Sequence, residues 1–287
     1  MSPSTNAVAA AEYIKFYELA PTEETPTAKT WYARGQNFLL AYSEAAPGAN
    51  FERADQADEY VLLLPDAASR IQIDTPDERV QVAGHQLVVV PPGRSTVRVI
   101  VGGRVVRVFS NRSEDLLTAC VNAESYAVPH AYVAPFAAWP SPANGYRVRA
   151  YDLNVPEEQG RFGRIWRCST MMVNWGESRT GPRDPTRLSP HAHTDFEQCS
   201  LILEGDYVHH LRWPWTTNIH DWRADDHEPC GSPSMTVIPP TTIHTSQAVG
   251  LGANQLIDIF CPPRLDFSKK PGWVLNADEY PMKDDDQ

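Results

Sequence analysis

The chain has 287 residues, 42% of them hydrophobic and 21% charged. That is the composition of a soluble globular protein with room for one large all-β domain or two of ordinary size. Its 25 Lys and Arg against 36 Asp and Glu give a net charge of −11, which argues against nucleic acid and anionic membranes as partners and leaves room for a local basic pocket.

The opening stretch, MSPSTNAVAAAEYIKFYELA, has neither the basic start nor the continuous apolar core of a signal peptide. No segment has the apolar length to span a bilayer. Downstream, β-branched and alternating runs recur: residues 60–64, 70–74, 86–92, 95–101 and 104–110, then 164–175, 198–204, 234–240 and 254–260. Turn clusters such as PDAAS, TPDE, VGGR and EGD separate them, and the 25 prolines punctuate the chain. Many short strands at this spacing predict a sandwich or barrel. One helix is expected over 113–123, with Ser113 as its cap and acidic residues in its first turn. The five cysteines, Cys120, Cys168, Cys199, Cys230 and Cys261, form no CxxC pair. An odd count without metal spacing predicts free thiols and a cytoplasmic protein. The tail KDDDQ is expected to be solvated.

Residues 134–148 are rich in Pro, Ala and Gly, so the expected organisation is a domain over 1–135, a linker over 136–150 and a domain over 151–287. The halves echo one another. LVVVPPGRSTVRV (87–99) parallels MTVIPPTTIHTSQ (235–247), and RADQADEYVLLLPD (53–66) parallels HAHTDFEQCSLILEGD (191–206).

Chemistry concentrates in the second copy. Alternate side chains of a strand share a face, so His191 and His193 are expected to point together. Gln198 opens the next apolar run and His244 follows Pro239 and Pro240. Three imidazoles and one amide oxygen make a first shell for a divalent first-row metal. Glu197 is the alternative to Gln198, since a one-residue shift exchanges the faces.

The run HxH, four residues, Gln198, six residues, Gly205 resembles the first motif of the cupin family. PPTTIH (239–244) resembles the second, with Thr241 where the family usually has glycine. The resemblance covers both halves and implies an all-β fold of two tandem cupin (jelly-roll) barrels with a few short helices. It also implies that the N-terminal barrel is degenerate and metal-free: Arg53 and Asp55 stand for the two histidines, Asp58 or Glu59 for the third ligand, and Thr96 for the last. Arg53 and Arg94 are the residues there for a second, metal-free anion site. A narrower resemblance links LIDIFCPPRLDF (256–267) to small cupins that open unsaturated uronates from pectin and alginate. By position it implies Asp258 as acid–base, Phe260 as a wall of the sugar pocket and Arg264 as the carboxylate clamp, with Ser200 where that family often has a polar amide. The stretch 209–230 carries Trp213, Trp215 and Trp222 with His209, His210, His220 and His227; it reads as packed loop or as a lid offering aromatic faces to a ring.

The expected protein is therefore a metal-dependent bicupin enzyme. One ion (Mn, Fe, Ni, Co or Zn) is held by His191, His193, Gln198 and His244. Asp258 and Arg264 act on the substrate, and Phe260, Ser200 and Trp213 surround it. The substrate is a small anionic molecule, a sugar acid or related oxo-acid, and the reaction is a non-redox isomerisation, tautomerisation or ring opening. The rivals are a non-haem iron dioxygenase cleaving a diketone or aromatic ring, and a non-catalytic ligand-binding cupin. By analogy with cupins a homodimer or higher oligomer is expected, with no nucleic acid or membrane partner.

Overall fold

The structure, a computed structural model, describes residues 8–283, so all but the first residue of the KDDDQ tail lies outside the described residues. Strands dominate, and the α-helical segments among the described residues are two of four residues each. The chain divides into two compact units, but not by a single cut. One contains residues 8–20, 124–135 and 173–260; the other contains 21–123, 136–172 and 261–283. The expected boundary at 136–150 thus gives way to exchanged segments. Strand Glu12–Lys15 pairs antiparallel with Ser234–Ile238. Strand Arg149–Asp152 pairs antiparallel with Gln86–Val90. In each case the borrowed strand covers a sheet edge that would otherwise leave a row of unpaired N–H and C=O groups.

The unit built around 21–123 has a seven-stranded sheet in the order Arg149–Asp152, Gln86–Val90, Tyr60–Leu64, Gly103–Ser110, Phe38–Ala45, Ala28–Arg34, Glu23–Thr25. A four-stranded sheet, Asn50–Gln56, Gly93–Val101, Arg70–Asp74, Arg79–Ala83, faces it. Leu39, Ala41, Leu62 and Val88 of the first sheet and Ile71, Ile73, Val97 and Val99 of the second form one buried core. Side chains alternate inward along each strand, as a two-layer packing demands. Glu59 is buried and ties three segments of this unit together. Its carboxylate accepts from the backbone N–H and hydroxyl of Ser169, at 3.1 and 2.6 Å, and from the Tyr280 hydroxyl at 3.0 Å. Burial raises its pKa, and these donors work against that rise by satisfying the ionised form.

The expected helix over 113–123 shortens to Glu114–Leu117. Ser113 makes no side-chain cap; its hydroxyl exchanges hydrogen bonds with the Gln56 amide instead. A cap diverted to a tertiary partner no longer satisfies the first-turn N–H groups. The apolar run 164–175 is likewise not one strand: it breaks into Arg164–Arg167 and Met172–Trp175.

The unit built around 173–260 repeats the two-layer plan. One sheet runs Glu12–Lys15, Ser234–Ile238, Gln198–Glu204, Ala253–Phe260, Met172–Trp175. The other, three-stranded, runs Asp226–Cys230, Tyr207–Arg212, Ile243–Ala248. Ile202 from one packs with Tyr207, Cys230 and Ala248 from the other. The turn that joins Gln198–Glu204 to Tyr207–Arg212 needs Gly205, whose φ is +84° and where a Cβ would sit 2.2 Å from Asn254 Oδ1. All five cysteines are buried and free. No helix among the described residues is long and apolar enough to cross a membrane.

Candidate metal centre

His191 and His193 do not lie on a regular strand. Pro190 cannot extend a ladder, and His191 makes only a single antiparallel bridge to His244. That bridge nevertheless fixes the geometry: His191 N–H donates to His244 O at 3.1 Å and His244 N–H to His191 O at 2.8 Å. The ligand atoms of His191, His193 and His244 all lie within 4.8 Å of one another, and the three ring centroids are 4.4–5.1 Å apart. His193 and His244 are buried while His191 is exposed, so the cluster has one wet side.

Gln198 completes the set. Its amide oxygen lies 2.8 Å from His193 Nε2 and 3.3 Å from His244 Nε2. The orientation of the amide is imposed from behind. Gln198 Nε2 donates to Ser200 Oγ at 3.0 Å and to Asp258 Oδ1 at 2.9 Å, and Ser200 Oγ donates to the same Oδ1 at 2.8 Å. A carboxylate only accepts when ionised, so the NH₂ end must face Asp258 and the oxygen must face the imidazoles. Register explains why these groups meet: Ser200 stands opposite Asp258, and Gln198 opposite Phe260, on paired strands. Glu197 points elsewhere, with His130 Nδ1 at 3.9 Å.

The imidazoles are oriented the same way. His191 Nδ1 faces the Ser189 carbonyl at 3.0 Å, and His244 Nδ1 faces the Thr242 carbonyl at 2.9 Å. A carbonyl cannot donate, so both Nδ1 atoms carry a proton, and in the neutral ring each Nε2 then presents a lone pair. With His244 neutral, its Nε2 and Gln198 Oε1 meet lone pair to lone pair, 3.3 Å apart. Such an arrangement is repulsive unless a cation or a proton stands between them, and a divalent ion fits this donor set.

The surroundings are partly aromatic. Phe196 stacks on His193 at 4.6 Å, and Phe260 meets both rings edge-on at 5.7 Å. Thr241, just before the last ligand, has φ = +67°, a region costly for a β-branched residue. Its N–H donates to His193 O at 2.6 Å, so the strained turn locks one ligand's backbone to the other motif.

Trp213, expected against the substrate, is buried with Val8, Leu211 and Ile238; its Nε1 donates to Asp226 Oδ1 at 3.2 Å. Only the two ends of the stretch 209–230 are sheet, where Tyr207–Arg212 and Asp226–Cys230 pair with each other; the residues between them form a loop with one short 3-10 turn, Ile219–Asp221. That loop carries Trp215 stacked on Trp222 at 4.4 Å. Arg264 belongs to the other unit; there it pairs with Asp266 and its guanidinium lies 3.5 Å from the Phe267 ring centroid. Sequence reading named His209 only as one of the histidines of the 209–230 stretch and gave it no role of its own. It is fully buried on the inward face shared with Tyr207 and Leu211, with Nδ1 2.8 Å from Ser246 Oγ and no partner for Nε2 among the described residues. Alternation along YVHHLR could have found it. Burial, reinforced by the neighbouring His244 and His210, pulls its pKa down to about 3.

No protein-family model matches the sequence, and no curated protein sequence matches it. Solved structures do. AerE from Microcystis aeruginosa aligns with a TM-score of 0.56 at 10% identity, over 89% of this chain and 98% of that one. Oxalate decarboxylase from Bacillus subtilis aligns at 0.58 and 12%, over 90% and 79%. A formate complex of the Lactobacillus farciminis oxalate decarboxylase aligns at 0.57 and 12%, over 90% and 88%. These likenesses show the fold: the chain is an all-β protein of the cupin jelly-roll type.

Proposed function

We propose that the unit containing residues 173–260 is a metal-dependent cupin active site acting on a small oxo-acid, a sugar acid or a relative, by isomerisation, tautomerisation or ring opening. The observation that carries this reading is the gathering of one ring nitrogen each from His191, His193 and His244 within 4.8 Å of one another, with the Gln198 amide oxygen 2.8 Å and 3.3 Å from two of them. The donor set is neutral, so a divalent ion held there would keep its full charge and supply Lewis-acid polarisation of a carbonyl or hydroxyl oxygen. The oxalate decarboxylases among the structural neighbours act, by name, on a small carboxylic acid, which agrees with the substrate class.

The protein's own groups divide the remaining work. The carbonyls of Ser189 and Thr242 hold two imidazoles in the ligating tautomer. Asp258 and Ser200 hold the Gln198 amide. Asp258 is proposed as the group that moves a proton between a substrate oxygen and carbon; Phe260 and Phe196 form an apolar wall that keeps water from competing.

Elemental analysis of purified protein, followed by turnover of unsaturated uronates and small oxo-acids with and without oxygen, tests the reading. Expected are about one divalent ion per chain and equal anaerobic and aerobic rates. Stoichiometric oxygen consumption would establish the dioxygenase instead. Ligand-induced stabilisation with an unchanged ligand would establish a binding protein.

A further inference from the structure

The other barrel holds a buried cation that the metal chemistry does not use. Val105, Arg107 and Phe109 share the inward face of Gly103–Ser110, and Val105 and Phe109 are core. Arg107 stands opposite Ala41 and Leu62, both core residues. It is 5% exposed, and its Nε and Nη2 find no hydrogen-bond partner among the described residues. Its guanidinium carbon lies 4.1 Å from the centroid of the Phe51 ring and 6.0 Å from that of Phe109. Cation–π contacts return only a part of what desolvating a guanidinium costs. A buried Arg with two idle N–H groups is a half-built carboxylate fork.

A way in exists beside it. A cleft of about 230 Å³ is lined by Glu23, Thr25, Ala28, Thr30, Asn50 and Phe51. Glu23–Thr25 and Asn50–Gln56 are the edge strands of the two facing sheets, so the cleft is the open seam of this barrel. Phe51 is at once a wall of the cleft and the ring over Arg107. The Tyr32 hydroxyl donates to Glu23 Oε2 at 3.0 Å; burial raises its pKa, and the Arg107 charge and a hydrogen bond from the Arg107 side chain work against that rise. The arginine that the sequence suggested for an anion site, Arg53, is engaged twice by Asp115, at 2.6 and 2.8 Å, and by Gln56 at 2.8 Å. Arg94 is exposed.

We propose that the metal-free barrel binds a small organic carboxylate, with Arg107 as the clamp for its oxygens and Phe51 as the ring that swings aside to admit it and then covers its apolar part. A dry cavity of about 150 Å³ accepts benzene, so this seam suits an acid of roughly benzoate size. Glu23 at the mouth disfavours dianions and leaves monocarboxylates as the preferred class.

The test uses full-length, chelator-treated protein, so that no carboxylate binds through a metal. Benzoate, isobutyrate and hexanoate are compared with neutral benzamide by calorimetry and thermal shift. At least one carboxylate raises Tm by several degrees where benzamide does not, and it does so equally in H244A. R107Q weakens that binding at least tenfold while its own melting temperature holds or rises, because a buried charge with no anionic partner and two unsatisfied nitrogens has been removed. A28L, which fills the seam from its mouth and leaves Arg107 in place, weakens it as much, and this arm stands even if R107Q fails to fold. The proposal is overturned if no carboxylate binds, if benzamide binds as well as benzoate, or if A28L leaves binding unchanged.

Discussion

Two barrels of one plan use the same positions differently. Where one brings His191, His193 and His244 together beside Gln198, the other has Arg53, Asp55, Asp58 or Glu59, and Thr96. Those substitutes do not converge. Arg53 pairs with Asp115, Asp58 accepts from Ser110 and Arg112, and Glu59 is held by Ser169 and Tyr280. Arg53, Asp58 and Glu59 are each engaged by a neighbour of their own, so these three charges cross-link the fold. In the histidine barrel the backing partners are carbonyls and one carboxylate, all acceptors, and they turn lone pairs inward. The lesson is that the partner behind a side chain decides whether it ligates or cross-links.

The largest expected effect breaks that contrast outright. H244A removes a ligand and half of the His191–His244 pair, so bound metal falls from about one per chain to near zero and turnover falls at least 10³-fold. A double substitution of Arg53 and Thr96 to His leaves metal content unchanged in the other barrel, because their surroundings do not orient lone pairs; elemental analysis reads both. Next in size is the support for Gln198. D258N keeps an acceptor for the Gln198 amide and so keeps metal, but loses proton transfer and with it turnover. D258L loses the acceptor as well and weakens metal binding about 10- to 100-fold, the usual cost of a lost ligand-orienting partner.

A smaller effect is read by pH. His209 is neutral in the folded barrel, with its pKa lowered from an ordinary value near 6.5 to about 3. The unfolded chain therefore takes up a proton before the folded one. The stability His209 contributes is complete above about pH 6.5 and is lost as pH falls from there toward 3. From pH 7 to 5 the loss is about 2 kcal/mol, and chemical denaturation of H209Q should lack that portion of the slope. The smallest effect sharpens the comparison at one backbone angle. Thr241 and Gly93 occupy the same place after the paired prolines, with φ of +67° and +94°. T241G should stabilise by about 1 kcal/mol through relief of a left-handed β-branched residue. G93A should destabilise by a similar amount although a Cβ there meets nothing within 4 Å.

Much of this was legible beforehand, and the misses have reasons. The strands at 60–64, 70–74 and 198–204 fall where alternation and turn clusters put them. The strands at 38–45 and 50–56 passed unnoticed: the first is buried almost throughout and so shows no alternation, and the second is an edge strand dominated by polar residues. Gln198 was readable from its spacing, but its preference over Glu197 rests on which face the strand turns inward. The 209–230 stretch read as packed loop or lid, which holds for its middle; its histidines and prolines hide the paired ladder formed by its two ends. Arg107 drew no notice, since nothing in RVVRVFS says that its arginine faces the core.

The sequence by itself determined the repeat, the all-β fold and the residue types around the candidate metal, because spacing and hydrophobic alternation are local and survive without knowledge of neighbours. Tertiary structure alone decided which strands the two units exchange, which way the Gln198 amide turns and where Asp258 spends its hydrogen bonds. It also decided that Arg107 is sealed beside a seam. Each of these depends on a partner far away in the chain, and an orientation imposed by such a partner leaves no pattern in the residues nearby.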